Sequence, residues 1–143
     1  MEKVMKKIQL KIVTKNSYGL LAEVTGLVAD KGVNIEDLCA YANGDEATLY
    51  VLTNDNSKAR EVLEEKGFHV EETEVIILRL WNRPGSLSSV ATKFRQHAIN
   101  LNYVYGTSSL GGERMTFVFS AEDNVKAAEI FDEMVIEEAY VTA

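Results

Sequence analysis

The chain has 143 residues, which suits one ordinary domain or two very small ones, and 46% of them are hydrophobic, enough to build a packed core. With 15 Lys and Arg against 22 Asp and Glu, the net charge is −7, a field that repels phosphate backbones and sets nucleic acid aside as a partner. The single cysteine, Cys39, excludes an intrachain disulfide or a cysteine-based metal cluster. No signal-peptide core or membrane-length apolar run is present, so a soluble cytoplasmic protein is expected, with no membrane partner, metal or cofactor.

Apolar and polar residues alternate through Ile8-Gln9-Leu10-Lys11-Ile12, which predicts a strand with one buried face. Asn16-Ser17-Tyr18-Gly19 then makes a turn. Leu21, Val24 and Val28 recur at helical spacing up to Lys31-Gly32, a basic turn and a stop glycine. Residues 34–41 read as a second strand, Asn43-Gly44 as a two-residue hairpin, and 48–53 as the returning third strand. A second helix is expected over 55–65, with Asn54, Asp55 or Ser57 to cap it and Gly67 to stop it, followed by a strand over 68–72.

The same pattern then returns. Gly19 and Gly85 stand 66 positions apart, and that offset also joins Asn16 to Asn82, Leu21 to Leu87, Val24 to Val90, Val28 to Phe94 and Asn34 to Asn100. Beyond the hairpin the offset is 68, joining Thr48 to Thr116, Asp55 to Asp123, Lys58 to Lys126 and Ala59 to Ala127. Two copies of one unit follow, over 1–72 and 73–143, the second with a hairpin loop two residues longer. Its elements are a strand over 75–81, a helix over 86–98, strands over 100–108 and 115–120, a helix from 123 to about 133 and a weakly written strand over 135–142. Each copy runs strand, helix, strand, strand, helix, strand. This is the ferredoxin-like α+β arrangement, an antiparallel sheet with both helices on one face. Only the charged seam Glu71-Glu72-Thr73-Glu74 separates the copies, so the last strand of one passes almost directly into the first strand of the next.

Asn82-Arg83-Pro84-Gly85-Ser86-Leu87 holds the only proline of the sequence. It is a helix-start signal, with a fixed φ, a residue free of Cβ and a hydroxyl able to cap backbone N–H groups, where an anion could sit. Leu20 and Leu27 widen the apolar face of the first helix where the second copy has Ser86 and Lys93, a surplus suited either to an interface or to a broader core. Tyr103 and Tyr105 at alternate strand positions read as half-buried sheet residues, Gly111-Gly112 as a turn, His69 and His97 as surface residues, and Cys39 as a small buried strand residue.

The run from Asn82 to Leu87, the helix after it and Ile99-Asn100-Leu101 resemble the ACT domain, a small regulatory module of amino-acid metabolism. Asn16, Gly19-Leu20-Leu21 and Gly32-Val33-Asn34-Ile35 give the first copy the same resemblance. The resemblance implies a tandem pair of ACT units that binds a free amino acid at junctions between units. Asn16, Gly19, Leu20, Asn82, Pro84, Gly85 and Ser86 would come from the turn after strand one of one unit, and Asn34, Ile35, Asn100, Leu101 and Asn102 from the second strand of the other. A helix N-terminus suits the ligand's carboxylate, and an Asn amide supplies both donor and acceptor to a zwitterion. Serine-binding units of the family carry a histidine where this chain has Leu80 and Thr14, and Leu80 favours a more apolar ligand side chain or a differently shaped pocket.

No catalytic constellation is evident, and the expected role is a non-catalytic, allosteric regulator, a homodimer that passes the signal to a partner such as an enzyme of amino-acid metabolism or through its own assembly. Three rivals share the topology: an acylphosphatase-like hydrolase using Arg83 with Asn100, an RNA-recognition module stacking bases on Phe117 and Phe119, and an ACT assembly module that binds no ligand.

Overall fold

The computed structural model describes residues 5–108 and 111–131. The chain divides into two compact units, Ile8–Thr73, called here the first, and Met1–Lys7 with Glu74–Ala143, called the second. The strand expected over 135–142 and the end of the last helix lie outside the described residues.

β1 (Met5–Lys15), which belongs to the first unit from Ile8 onward, leads through a turn into α1 (Leu20–Asp30), β2 (Ile35–Asn43), β3 (Glu46–Thr53) and α2 (Asn56–Glu65). The strands lie in the order β2-β3-β1 and pair antiparallel. β4 (Val70–Trp81) is a single strand that covers both the last strand expected of copy one and the first of copy two. The charged seam therefore does not interrupt the strand. The second unit continues with α3 (Ser86–Gln96), β5 (Leu101–Ser108), β6 (Arg114–Ala121) and a helical stretch over residues 124–131, its strands ordered β4-β6-β5 and again antiparallel.

Each unit has its own core on the helix side of its sheet. Leu10, Ile12, Leu49 and Val51 pack with Val24 and Val28 of α1 and with Val62 and Leu63 of α2. Their counterparts in the second unit are Ile76, Leu78, Phe117 and Phe119, packed with Val90, Phe94 and Phe131. Leu20, not Leu21, belongs to the α1 stripe: Leu20 is buried whereas Leu21 is 51% exposed. Leu27 also packs on the core, so the apolar surplus of α1 is the broader core face.

The repeat extends to single hydrogen bonds. Asp55 caps α2 by accepting from the Lys58 amide at 3.2 Å, and Asp123 accepts from the Lys126 amide at 3.0 Å. One residue on, Asn56 Nδ2 donates to the Ile8 carbonyl (2.9 Å) and Asn124 Nδ2 to the Glu74 carbonyl (3.0 Å), tying each helix start to its own first strand. A register shift in the edge strand recurs at equivalent places, between Ile35 and Asp37 and between Leu101 and Tyr103. One helix end differs. Gly32 closes α1 at φ 71°, but Ala98 takes the same left-handed conformation after α3, at φ 53°. α3 consequently stops at Gln96, short of the expected Ala98.

Candidate functional site

The turns from β1 to α1 and from β4 to α3 have matching geometry. Gly19 (φ 77°) and Gly85 (φ 89°) are the N-cap residues, both left-handed, a conformation that costs little without a Cβ. Neither helix carries a side-chain cap. Ser86 is the first residue of α3 rather than its cap, so the hydroxyl expected to satisfy the first-turn amides does not do so, and the donors at both helix starts are left to other acceptors. Backbone bonds brace each turn against the neighbouring hairpin: the Asn16 amide donates to the Asp45 carbonyl and the Asn82 amide to the Glu113 carbonyl, both at 2.7 Å. Asn82 adds a side-chain bond from Nδ2 to the Gly112 carbonyl at 3.2 Å.

In the first unit a cavity of about 370 Å³ opens at this turn, inside the range of about 300–1,000 Å³ typical of small-molecule sites. Asn16, Tyr18, Gly19, Leu20 and Leu21 line one side of it, and Ala40–Ala42 of β2 and Ala47–Leu49 of β3 the other. Tyr18 is fully exposed and Tyr41 is 53% exposed, so the walls include aromatic surface open to a ligand. Of the expected site residues, Asn16, Gly19 and Leu20 meet in this cavity. Tyr18, Tyr41 and the alanines were not anticipated; the one sequence signal was an aromatic residue beside the turn glycine and another beside the hairpin.

Asn34 and Ile35 do not reach the cavity of their own unit. Ile35 pairs with Thr53, whereas the turn follows Lys15, which pairs with Glu46. The two ends of β3 are seven residues apart, about 23 Å at roughly 3.3 Å per residue. The Asn34 amide donates to Asn54 Oδ1 at 2.9 Å and its carbonyl accepts from the Asn54 amide at 3.1 Å, which leaves the side chain exposed. The second unit repeats the separation: Leu101 pairs with Ala121 and Trp81 with Arg114 at opposite ends of β6. Pro84 and Gly85 stand at one end, and Asn100, Leu101 and Asn102 at the other. Asn100 Nδ2 lies 3.4 Å from Glu122 Oε2, and Asn102 Nδ2 donates to Ser120 Oγ at 3.2 Å.

The same geometry bears on the rival readings. Arg83 and Asn100 are at opposite ends of their sheet and form no joint anion-and-water site. Phe117 and Phe119 face the helices inside the core, where no base could stack. Tyr103 and Tyr105 are stacked 6.5 Å apart on the other sheet face. Among the described residues no group of three His, Cys, Asp or Glu side chains is placed to hold a metal ion, and no helix is long and apolar enough to cross a membrane.

On the face of β2 and β3 away from the core, Cys39 pairs with Tyr50 and is half-buried, not buried as expected. Burial, then the neighbouring Tyr41, to which Tyr50 is hydrogen-bonded, then Cys39 push the Tyr50 phenol up from 10.0 to about 12. Tyr50 therefore stays protonated in the folded protein after the unfolded chain has lost that proton. Its contribution to stability is complete below pH 10 and is expected to fall as pH rises toward 12. Urea midpoints measured across this window should decline less in Tyr50→Phe than in the parent chain.

A family model described as an ACT domain pair matches residues 5–141. Among solved structures, protein BT0572 from Bacteroides thetaiotaomicron is similar over 92% of this chain and 90% of its own, with 27% identity and a TM-score of 0.85. The ligand-free regulatory subunit of aspartate kinase from Thermus thermophilus is similar over 88% and 91%, with 14% identity and a TM-score of 0.65, a likeness of fold. No curated protein sequence matches the chain.

Proposed function

The chain belongs to the ACT domain pair family, and we propose that it is a non-catalytic cytoplasmic regulator that binds a free amino acid at the turn after β1. The observation that carries this reading is the cavity of about 370 Å³ at the uncapped start of α1. A ligand carboxylate would accept from the first-turn amides at the positive end of the helix dipole. The lining of Leu20, Leu21, Tyr41 and three alanines suits an apolar side chain. The regulatory-subunit relative supports a role in passing ligand binding on, either to a partner enzyme or to the protein's own assembly. A ligand does this only through unequal affinity for two states.

Within one unit the strand-entry Asn does not reach the turn. The reading therefore includes a homodimer, in which Asn34 or Asn100 of a second copy faces the turn and holds the ligand's ammonium group. Isothermal titration against each of the standard amino acids tests binding directly, and the absence of heat with any of them at millimolar ligand would end the proposal. Ala42 is exposed and lines the cavity, so Ala42→Trp fills the site from outside the core. It is expected to weaken binding by more than tenfold and leave the unfolding midpoint unchanged. Asn34→Ala tests the second copy: affinity should fall although its own turn is remote.

A further inference from the structure

The two turns differ chemically at one set of equivalent positions. In the first copy these are Lys15, Ser17 and Glu46, and Lys15 and Glu46 are register partners of opposite charge. In the second copy they are Trp81, Arg83 and Arg114. Arg114 lies with its guanidinium carbon 3.5 Å from the centre of the Trp81 ring, and Arg83 at 4.8 Å. Trp81 and Arg114 are register partners, and Arg83 follows in the turn to α3. Two guanidiniums are thus gathered on one indole in a chain whose net charge is −7. Neither has a carboxylate partner among the described residues. Glu113, adjacent to Arg114, makes no ion pair with it.

We propose that this platform binds an oxyanion, the carboxylate or phosphate that gives a small ligand its net negative charge, so that the turn of the second unit takes an anionic ligand where the cavity of the first takes an apolar one. A guanidinium stacked on an aromatic face uses its π surface and keeps its in-plane N–H donors available. Those donors match a carboxylate or phosphate in paired, charge-assisted hydrogen bonds. Two of them held at one ring bring like charges together, a repulsion that a bound anion removes. For location the proposal rests on the reading of these turns as ligand sites, but it is tested separately.

Trp81 is the only tryptophan, so its fluorescence reports arrival of a ligand at the platform without modification. The full chain is titrated with aspartate, O-phosphoserine, inorganic phosphate and leucine, at ionic strength held constant with potassium chloride. A saturable change is expected with at least one of the three anions and not with leucine, and comparison among the three separates carboxylate from phosphate and free phosphate from an amino-acid phosphate. Arg83→Gln, on the exposed turn, should raise the dissociation constant about tenfold, and Arg114→Lys, which keeps the charge but not the paired donors, by several-fold, in line with the strength of charge-assisted bonds. If the guanidiniums only brace the hairpin, these variants shift the urea midpoint and leave anion titrations unaltered, which overturns the proposal. A response that potassium chloride alone reproduces also overturns it. Calorimetric binding of leucine, with Trp81 silent to all three anions, would leave the apolar site standing and remove this one.

Discussion

Phe119→Ala is expected to lower the stability of the second unit by about 3–5 kcal/mol, the range for deleting a buried aromatic side chain that its neighbours cannot replace. Phe119 is 1% exposed and is the hub of an aromatic group, with ring centres 5.4 Å from Phe94, 5.3 Å from Phe131 and 6.0 Å from Phe117. Phe94 and Phe131 meet edge to face at 4.8 Å, an arrangement that loses its third member and cannot close over the space. Those rings come from α3, from β6 and from the helical stretch over 124–131, so one truncation loosens both helices from the sheet. Urea unfolding followed by Trp81 fluorescence measures it, because Trp81 lies in the same unit. A loss under about 1 kcal/mol would mean that the site collapses around the missing ring, contrary to close packing.

The elements were legible in the sequence because each carries its own punctuation. The spacing of Val24 and Val28, the Asp55 cap and the Asn43-Gly44 turn are local signals, and repetition at offsets of 66 and 68 residues let each copy check the other. Failures came where two neighbours offered the same chemistry. Leu20 and Leu21 are equally apolar, and only the helix entry angle, set by the left-handed Gly19, decides that Leu20 turns inward. The candidate site was legible in part. Asn16, Gly19 and Leu20 announce themselves through the turn, but Ala40 to Ala42 reach the cavity through hairpin register, a property of pairing that no local pattern contains. Within one unit Asn34 and Gly19 lie at opposite ends of β3, so the strand-entry Asn can face a turn only in another unit, as the family likeness implies.

Gly106→Ala is expected to cost about 2–3 kcal/mol, toward the upper end for overpacking a core, and the first copy explains why. Ala40 and Leu49 are register partners there, and the equivalent pair in the second copy is Gly106 and Phe117. The larger ring has taken the space that a methyl group would need. A Cβ on Gly106 would stand 2.4 Å from Phe117 Cδ1 and 3.2 Å from the Thr116 carbonyl oxygen. The ring cannot swing clear, because Phe117 is buried at 5% exposure beside Phe119, and the carbonyl belongs to the β6 backbone. Gly106 has an ordinary strand backbone, so the cost is one of contact and not of φ. This makes the prediction separable from a propensity effect: Phe117→Leu alone should destabilise by lost burial, and adding Gly106→Ala to it should restore part of the loss, because the double variant recreates the Ala40 and Leu49 pair. Urea midpoints of the two single variants and the double variant form a mutant cycle whose coupling is expected to exceed about 1 kcal/mol. Additive effects would show that Phe117 is not what excludes a side chain at position 106.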